Sequence, residues 1–600
     1  MREGSGKTRA RSGRRGGFGS PWLPNLHRID ACAQPADRMT AFYRRLGEGL
    51  PERRAPGADA FSTESRQLRQ WIAALPLANA SATARQLYQA LRAINRLRID
   101  PQERLAALEA LRRPVSQIAD NVDRQIVGST FPLPPAKAQL GTVARDFQEE
   151  MALGYRIALL DLVGAEGKIP FLRAKSVTLA LERGISHLGG QLSKAYLLYA
   201  TPPAGLWLAL HDLYRVAQWL KLEDKTVEDP ELGGADVSPR WSYQHALLLA
   251  ISNPYRLAQK DIHEAWMVTR AWARMAQLRS GPAGEHAYAI PLDEDRGPGY
   301  LPEERSSEAG AVLYFDTTPL ERELERQMGL VGGVSGPISF RLKGAAAVAV
   351  EPQLIRRIMQ SWTPLASRNH VRLPAGHLLD TLVGLHAIHY FLAGELDFEN
   401  FVRRACGPAV HLSDRDRAAA WTAQGLEFTR PEVYRARVID QSLGGYRIEW
   451  DRADAVRARV GEIVAVAQAE DEGEERDWMI GMIRWLRIAP EGRVDAGIEL
   501  LARQARAAVL RTLDGQGHPK PPVRAIRLEA MRGADGEIRP YSVVAPSVLE
   551  RGALRYELVI APERYAERDT AELVEMTGIA VLEQSGTYLR LAPRAAGGAA

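Results

Sequence analysis

The chain reads as a multidomain α+β protein: an all-α array in the N-terminal half, a small antiparallel β-barrel after it, and a second small C-terminal β domain. Three observations point there. Apolar residues recur at helical spacing from about 60 to 278, short turn-bounded strands succeed one another from 435 to about 510, and more strands fill 511–595. With 600 residues and 46% hydrophobic content, the chain can build several cores.

Residues 1–38 are rich in glycine and arginine and lack an apolar stretch, so they predict a basic, disordered leader rather than a secretory signal. A start at Met39 is the rival reading. Gly4-Ser5-Gly6-Lys7-Thr8 approaches a P-loop, but no strand can precede it. The all-helical domain is expected over 60–278. Leu87, Leu91, Ile94 and Leu97 share a helix face, with Asn79 or Ser81 as N-cap and Pro101 beyond the end. "PQERLAALEALRR" repeats the pattern, and Pro114 is predicted to terminate it. The most apolar stretch, 195–214, is broken by Pro202-Pro203 and carries His211 and Asp212, which predicts two helices joined by a turn and no membrane span. Trp266, Trp272 and Tyr255 read as helix-packing core. His263-Glu264 lacks a second histidine, because Met267 stands there, and so cannot hold a catalytic zinc.

Residues 279–361 change texture to a mixed α/β connector. A strand is expected at 287–291, then strand, Thr-capped turn and helix in "AVLYFDTTPLERELERQM", and a helix over 352–362.

The most specific chemistry lies in "RARVIDQSLGGYRIEW" (435–450), which contains Asp440-x-Ser442-x-x-Gly445 between strand-forming residues. Upstream, "SRNHVRLP" carries Arg368-x-x-x-Arg372. Guanidinium groups bond phosphate oxygens or guanine O6 and N7 bidentately and stack on bases. A carboxylate accepts from the guanine N1–H and N2–H2 edge, as no arginine can. Positions 440 and 442 of a strand share one face. Gly444 and Gly445 let the chain turn and bring backbone close to a ligand. Together these groups suit a flat, anionic, guanine-containing molecule. Arg435, Arg437 and Arg447 are nearby alternatives for the phosphate role. "RVGEIVAVAQ", "WMIGMIRWLRI" and "VDAGIELLARQ" then add strands at turn-bounded spacing, the signature of a small barrel.

The arginine pair, the D-x-S-x-x-G turn and the strand series with Gly481, Ile483, Trp485 and Gly497 to Leu500 resemble the PilZ domain, the bacterial receptor module for cyclic di-GMP, over residues 362–510. The resemblance implies that Arg368 and Arg372 clamp phosphates and stack on guanine. It implies that Asp440 and Ser442 read the base edge and a neighbouring phosphate, and that Gly445 permits the turn. Arg372 lies 68 positions before Asp440, far more than in typical members, so residues 395–433 are read as an insertion and 376–394 as the first barrel strand with its surroundings.

The remaining chemistry is sparse. His370, His377, His386 and His389 form a histidine cluster, read as local hydrogen bonding rather than a metal site. Cys32 and Cys406 cannot build a disulfide framework. No nucleophile, acid or base constellation is visible, so the expectation is a cytoplasmic effector with no enzyme activity, no cofactor and no metal, regulated by cyclic di-GMP and acting through an unidentified protein partner of the helical region. Oligomerisation is left open. A degenerate PilZ-like scaffold without nucleotide binding is one alternative. Nucleic-acid binding through the basic leader is another, but 78 basic against 73 acidic residues and the lack of a reading motif weigh against it.

Overall fold

The computed structural model describes residues 41, 43–164, 169, 172–281, 288–299, 311–330, 336–362, 372–406, 430–451, 456–469, 476–533, 536–549, 555–561, 571–576 and 579–593. The expectations for the leader 1–38, for Arg368 and His370, and for 407–429 of the insertion fall outside them.

The N-terminal half is helical, as its periodicity predicts. Its helices are α1 (Ser65–Ala73), α2 (Ala80–Asn95), α3 (Pro101–Ile126), α4 (Pro135–Val163), α5 (Ala174–Leu197), α6 (Leu206–Trp219), α7 (Pro239–Ile251) and α8 (Gln259–Trp272). Asn79 caps α2 through its side chain, which accepts from the Ala82 N–H. The antiparallel neighbours α4 and α5 form the spine, with α3 against α4 and α7 against α5. Trp272 is fully buried and Trp266 stacks on His245. Among the described residues, no helix is long and apolar enough to cross a membrane.

Pro114 corrects the sequence reading. It lies inside α3, which continues to Ile126. An interior proline costs roughly 3 kcal/mol. Here the apolar stripe of Leu108, Leu111, Val115, Ile118 and Val122, all buried, runs unbroken past it. Packing on both sides of the proline outweighs the lost hydrogen bond.

A hairpin of β1 (Val227–Asp229) and β2 (Ala235–Val237) had no sequence signature. It is held by charge: Asp229 Oδ2 accepts from Arg112 at 2.9 Å and from the fully buried Arg183 at 3.2 Å. Burial pushes the Asp229 carboxyl up, but the two arginines outweigh it and leave the group below its ordinary range.

The connector carries β3 (Gln277–Arg279), β4 (Tyr288–Pro291) and β5 (Val312–Asp316) in one small sheet, then α9 (Thr318–Leu330), the β6 (Ile338–Phe340) and β7 (Val348–Val350) hairpin, and α10 (Pro352–Trp362). Trp362, buried at the end of α10, meets Trp272 edge to face at 6.1 Å. That contact anchors the chain just before the arginine segment.

Next come β8 (Leu373–Pro374), β9 (Leu378–Val383), α11 (Leu385–Leu392), α12 (Phe398–Cys406), β10 (Tyr434–Ser442), β11 (Gly445–Trp450), β12 (Ile463–Gln468), β13 (Met479–Ile488) and β14 (Val494–Ala502). The pairings β9–β10–β11–β14–β13–β12–β9 close a six-stranded antiparallel barrel. Only the first part of 376–394 is strand; from Leu385 it is helix, with His389 Nε2 donating to the Ala508 carbonyl. In β12, Val464 and Val466 face the barrel core while Ile463, Ala465 and Ala467 face the next unit, which explains the unbroken apolar run "IVAVA".

That unit is an open antiparallel sheet, ordered β21 (Glu572–Met576), β20 (Tyr556–Ile560), β15 (Ala505–Thr512), β16 (Val523–Leu528), β19 (Ser542–Pro546), β23 (Tyr588–Pro593), β22 (Ile579–Gln584), with a small hairpin of β17 (Met531–Arg532) and β18 (Ile538–Arg539). β15 pairs only with β16 and β20, so the break between barrel and second sheet falls at 503–504 rather than at 510.

Gly445 is required by close approach. Its φ is +153°, and a Cβ there would sit 1.9 Å from the Ile498 carbonyl oxygen of β14. The backbone that comes close is the neighbouring strand's.

Two stability outcomes follow. Asp229→Ala removes the carboxylate that Arg112 and Arg183 share, leaving them Glu109 and Glu182, and should cost about 1.5–3 kcal/mol in urea unfolding; a loss under about 1 kcal/mol contradicts the network. Gly445→Ala should cost at least about 1–3 kcal/mol through the clash with β14, and an unchanged thermal midpoint would refute the close approach.

Candidate functional site

The site starts from the pairing of β10. Ala436 and Val438 are fully buried, and Val438 opposes Ile448, so even-numbered positions begin on the inner face. Strict alternation would carry Asp440 and Ser442 inward too. A bulge between Val438 and Asp440 shifts the register instead, and Asp440 pairs with Arg447. Arg447 adjoins the buried Ile448 and faces outward; directly paired residues share a face, so Asp440 faces outward as well.

On β10's other edge, β8 places Pro374 opposite Asp440 and Leu373 opposite Gln441, and the Ala375 N–H donates to the Ile439 carbonyl at 3.1 Å. This short strand returns the arginine segment to the carboxylate. Arg372 Nη1 donates to Asp440 Oδ1 at 2.7 Å, with the side chains 39% and 20% exposed. The insertion is thus bridged in space. The Ser442 hydroxyl reaches the Gly445 carbonyl at 3.4 Å, a weak bond. Asp440, Ser442, Gly445 and Arg372 therefore stand together at one end of the barrel wall.

The outer face continues across four strands. Asp440 pairs with Arg447, Arg447 with Gly497, and Gly497 with Trp485. The Trp485 indole lies over Gly497, where a Cβ would be 1.9 Å from Nε1. The Arg447 guanidinium stands 6.0 Å from the Trp485 ring and grips Asp495 through two bonds of 3.0 and 2.7 Å. Its bond to Asp495, aided by the charges of Asp440 and Glu449, raises its proton affinity above the ordinary arginine value. The row offers a carboxylate, two guanidiniums and a flat aromatic surface, half-buried and in line.

Sequence reading held Arg447 only as an alternative and used Trp485 and Gly497 as strand markers. The signal was present: each lies three positions from the hairpin-closing pair Ile488 and Val494, which predicts tryptophan stacked on glycine. Arg435 instead approaches Asp380 at 3.6 Å, where Arg476 also bonds. A cleft of about 610 Å³ opens at the barrel mouth between His377, Arg435, Tyr446 and Met479; Asp440 and Ser442, turned outward by the bulge, are not among its walls. His389 and His386 sit in the packing of α11; burial lowers the His386 pKa to about 4.

Residues 66–283 match the family described as the N-terminal domain of the cyclic-di-GMP receptor FimW. Residues 287–428 and 412–507 match that receptor's middle PilZ domain. Among curated proteins, the cyclic-di-GMP receptor FimW of Pseudomonas aeruginosa is 25% identical over 524 residues, covering 80% of this chain and 84% of that protein. No solved structure matches. The chain belongs to the PilZ domain family, with a FimW-type N-terminal domain ahead of its PilZ domain.

Proposed function

We propose that the chain is a cytoplasmic cyclic di-GMP receptor without catalytic activity, whose ligand binds on the outer barrel wall along Arg372, Asp440, Ser442 and Arg447. The observation that carries this reading is the Arg372–Asp440 ion pair: a guanidinium and a carboxylate, 68 positions apart, meet at a half-exposed point beside a flat Arg447–Trp485 surface. The likeness to the cyclic-di-GMP receptor FimW supports the ligand class.

Binding is an exchange of partners. A half-exposed ion pair contributes at most about 1 kcal/mol. Cyclic di-GMP gives each partner something better. Arg372, with Arg368 from the same segment, takes a phosphate through a planar fork, and Asp440 takes the guanine N1–H and N2–H2 edge. Ser442 donates to a neighbouring phosphate. Each charge-assisted bond contributes roughly 1.5–3 kcal/mol. The second guanine lies against Trp485 and Arg447.

The output runs through β13. Two residues beyond Trp485, the Arg487 guanidinium stacks on Tyr255 of the helical domain at 4.7 Å, and the Ile488 N–H donates to the Tyr199 carbonyl at 2.8 Å. Phe131 and Ala458 exchange two further backbone bonds across the same seam. A ligand that draws Arg372 off Asp440 thus acts on a barrel already joined to the helices, and those helices present the surface for a protein partner.

Calorimetric titration tests the reading. Cyclic di-GMP should bind the wild type; Arg372→Ala should weaken binding at least tenfold, and Asp440→Ala should erase the preference for cyclic di-GMP over cyclic di-AMP. A silent titration with folded wild type indicates a scaffold that no longer binds nucleotide, and equal binding by all three proteins puts the site elsewhere. For the output, ligand should change hydrogen exchange at 196–200 and 254–256 in the wild type and not in Arg487→Ala; an identical response in both proteins contradicts the β13 route.

A further inference from the structure

The bulge in β10 sets which charges share the outer wall. Val438 pairs with Ile448 and Asp440 with Arg447, so Ile439 is the extra residue. The neighbouring outward pair is therefore Arg437 opposite Glu449, one step of about 7 Å from Asp440 opposite Arg447. On the other side of Asp440, β8 sets Leu373 opposite Gln441, which brings Arg372 level with the Ser442 end of β10. Asp440 is thus flanked along the strand by an arginine on each side.

The two arginines differ in what holds them. Arg372 is bound to Asp440. Arg437 is exposed, and among the described residues no hydrogen bond or ion pair engages its guanidinium. Its partner in β9 is Leu378, which offers no side-chain acceptor, and its partner in β11, Glu449, is taken by Arg493 Nη1 at 2.8 Å. The neighbouring guanidiniums have carboxylates of their own: Arg435 stands 3.6 Å from Asp380, and Arg447 grips Asp495 through two bonds. A phosphate that reaches Arg437 displaces no protein partner, whereas one that reaches Arg447 must break a bidentate pair.

We propose that Arg437 binds the second phosphate of cyclic di-GMP, with Arg372 and Ser442 on the first and Asp440 on a guanine edge between them. This rests on the cyclic di-GMP reading of the Asp440 face. Arg447 keeps Asp495 and meets the ligand through its flat face, beside Trp485. The two phosphates then have one cation each, on either side of the carboxylate. Phosphates are common to all cyclic dinucleotides, so Arg437 adds affinity without base preference, which falls to Asp440.

The test is calorimetric titration of wild type, Arg437→Ala, Arg437→Gln, Arg435→Ala and Asp440→Ala with cyclic di-GMP and cyclic di-AMP. Both Arg437 variants should bind cyclic di-GMP about tenfold more weakly, at an unchanged thermal midpoint, and should keep the wild-type preference over cyclic di-AMP. Arg435→Ala, which removes the same charge from the same strand, should bind as the wild type does. An equal loss in Arg435→Ala and Arg437→Ala would report the overall charge of the strand and overturn the contact. If Asp440→Ala loses the preference and both Arg437 variants bind as the wild type does, Arg437 is no ligand contact and the nucleotide reading stands. If the folded wild type binds no cyclic di-GMP, the reading falls and this inference with it.

Discussion

The arrangement depends on the register of β10. This strand has three partners, β8, β9 and β11, and each fixes part of its position. Within it, a single bulge converts the inward parity of Ala436 and Val438 into the outward placement of Asp440. A one-residue slip would bury the carboxylate in an apolar barrel, where an unpaired charge costs several kcal/mol. The glycine at 445 protects the register from the other side, since only a residue without Cβ lets β11 lie so close to β14.

Given that register, most of the outward-facing charges of this wall are paired off. Arg372 with Asp440 and Arg447 with Asp495 are internally neutral pairs near the surface. Such pairs add little to stability, and under the proposed reading a ligand that offers Arg372 and Asp440 each a stronger charge-assisted bond parts the first of them. The buried Arg112–Asp229–Arg183 network of the helical domain has the opposite character: shielded from water, it secures a hairpin and is costly to break.

Much of this was legible in the chain. Helical periodicity located α2 to α8, and Pro202-Pro203 marked the break between α5 and α6, because burial on one face leaves a 3.6-residue imprint. Asp440, Ser442 and Gly445 stood out because strand alternation, turn chemistry and charge coincided there. Pro114 misled because local propensity was outweighed by packing on both sides of it. The return of Arg372 to Asp440 was expected from a family pattern, while its physical means, the two-residue β8, is too short to leave a periodic trace. Trp485 on Gly497 was readable only once the turn between Ile488 and Val494 fixed the β13–β14 register. Contact between units is not encoded at short range.

The central claim is that one nucleotide takes over both members of the Arg372–Asp440 pair. A crystal structure of the chain with cyclic di-GMP tests it most directly. The account predicts that pair parted, the guanidinium on a phosphate and the carboxylate on a guanine edge of the same ligand molecule. A nucleotide bound elsewhere, with that ion pair intact, would contradict it.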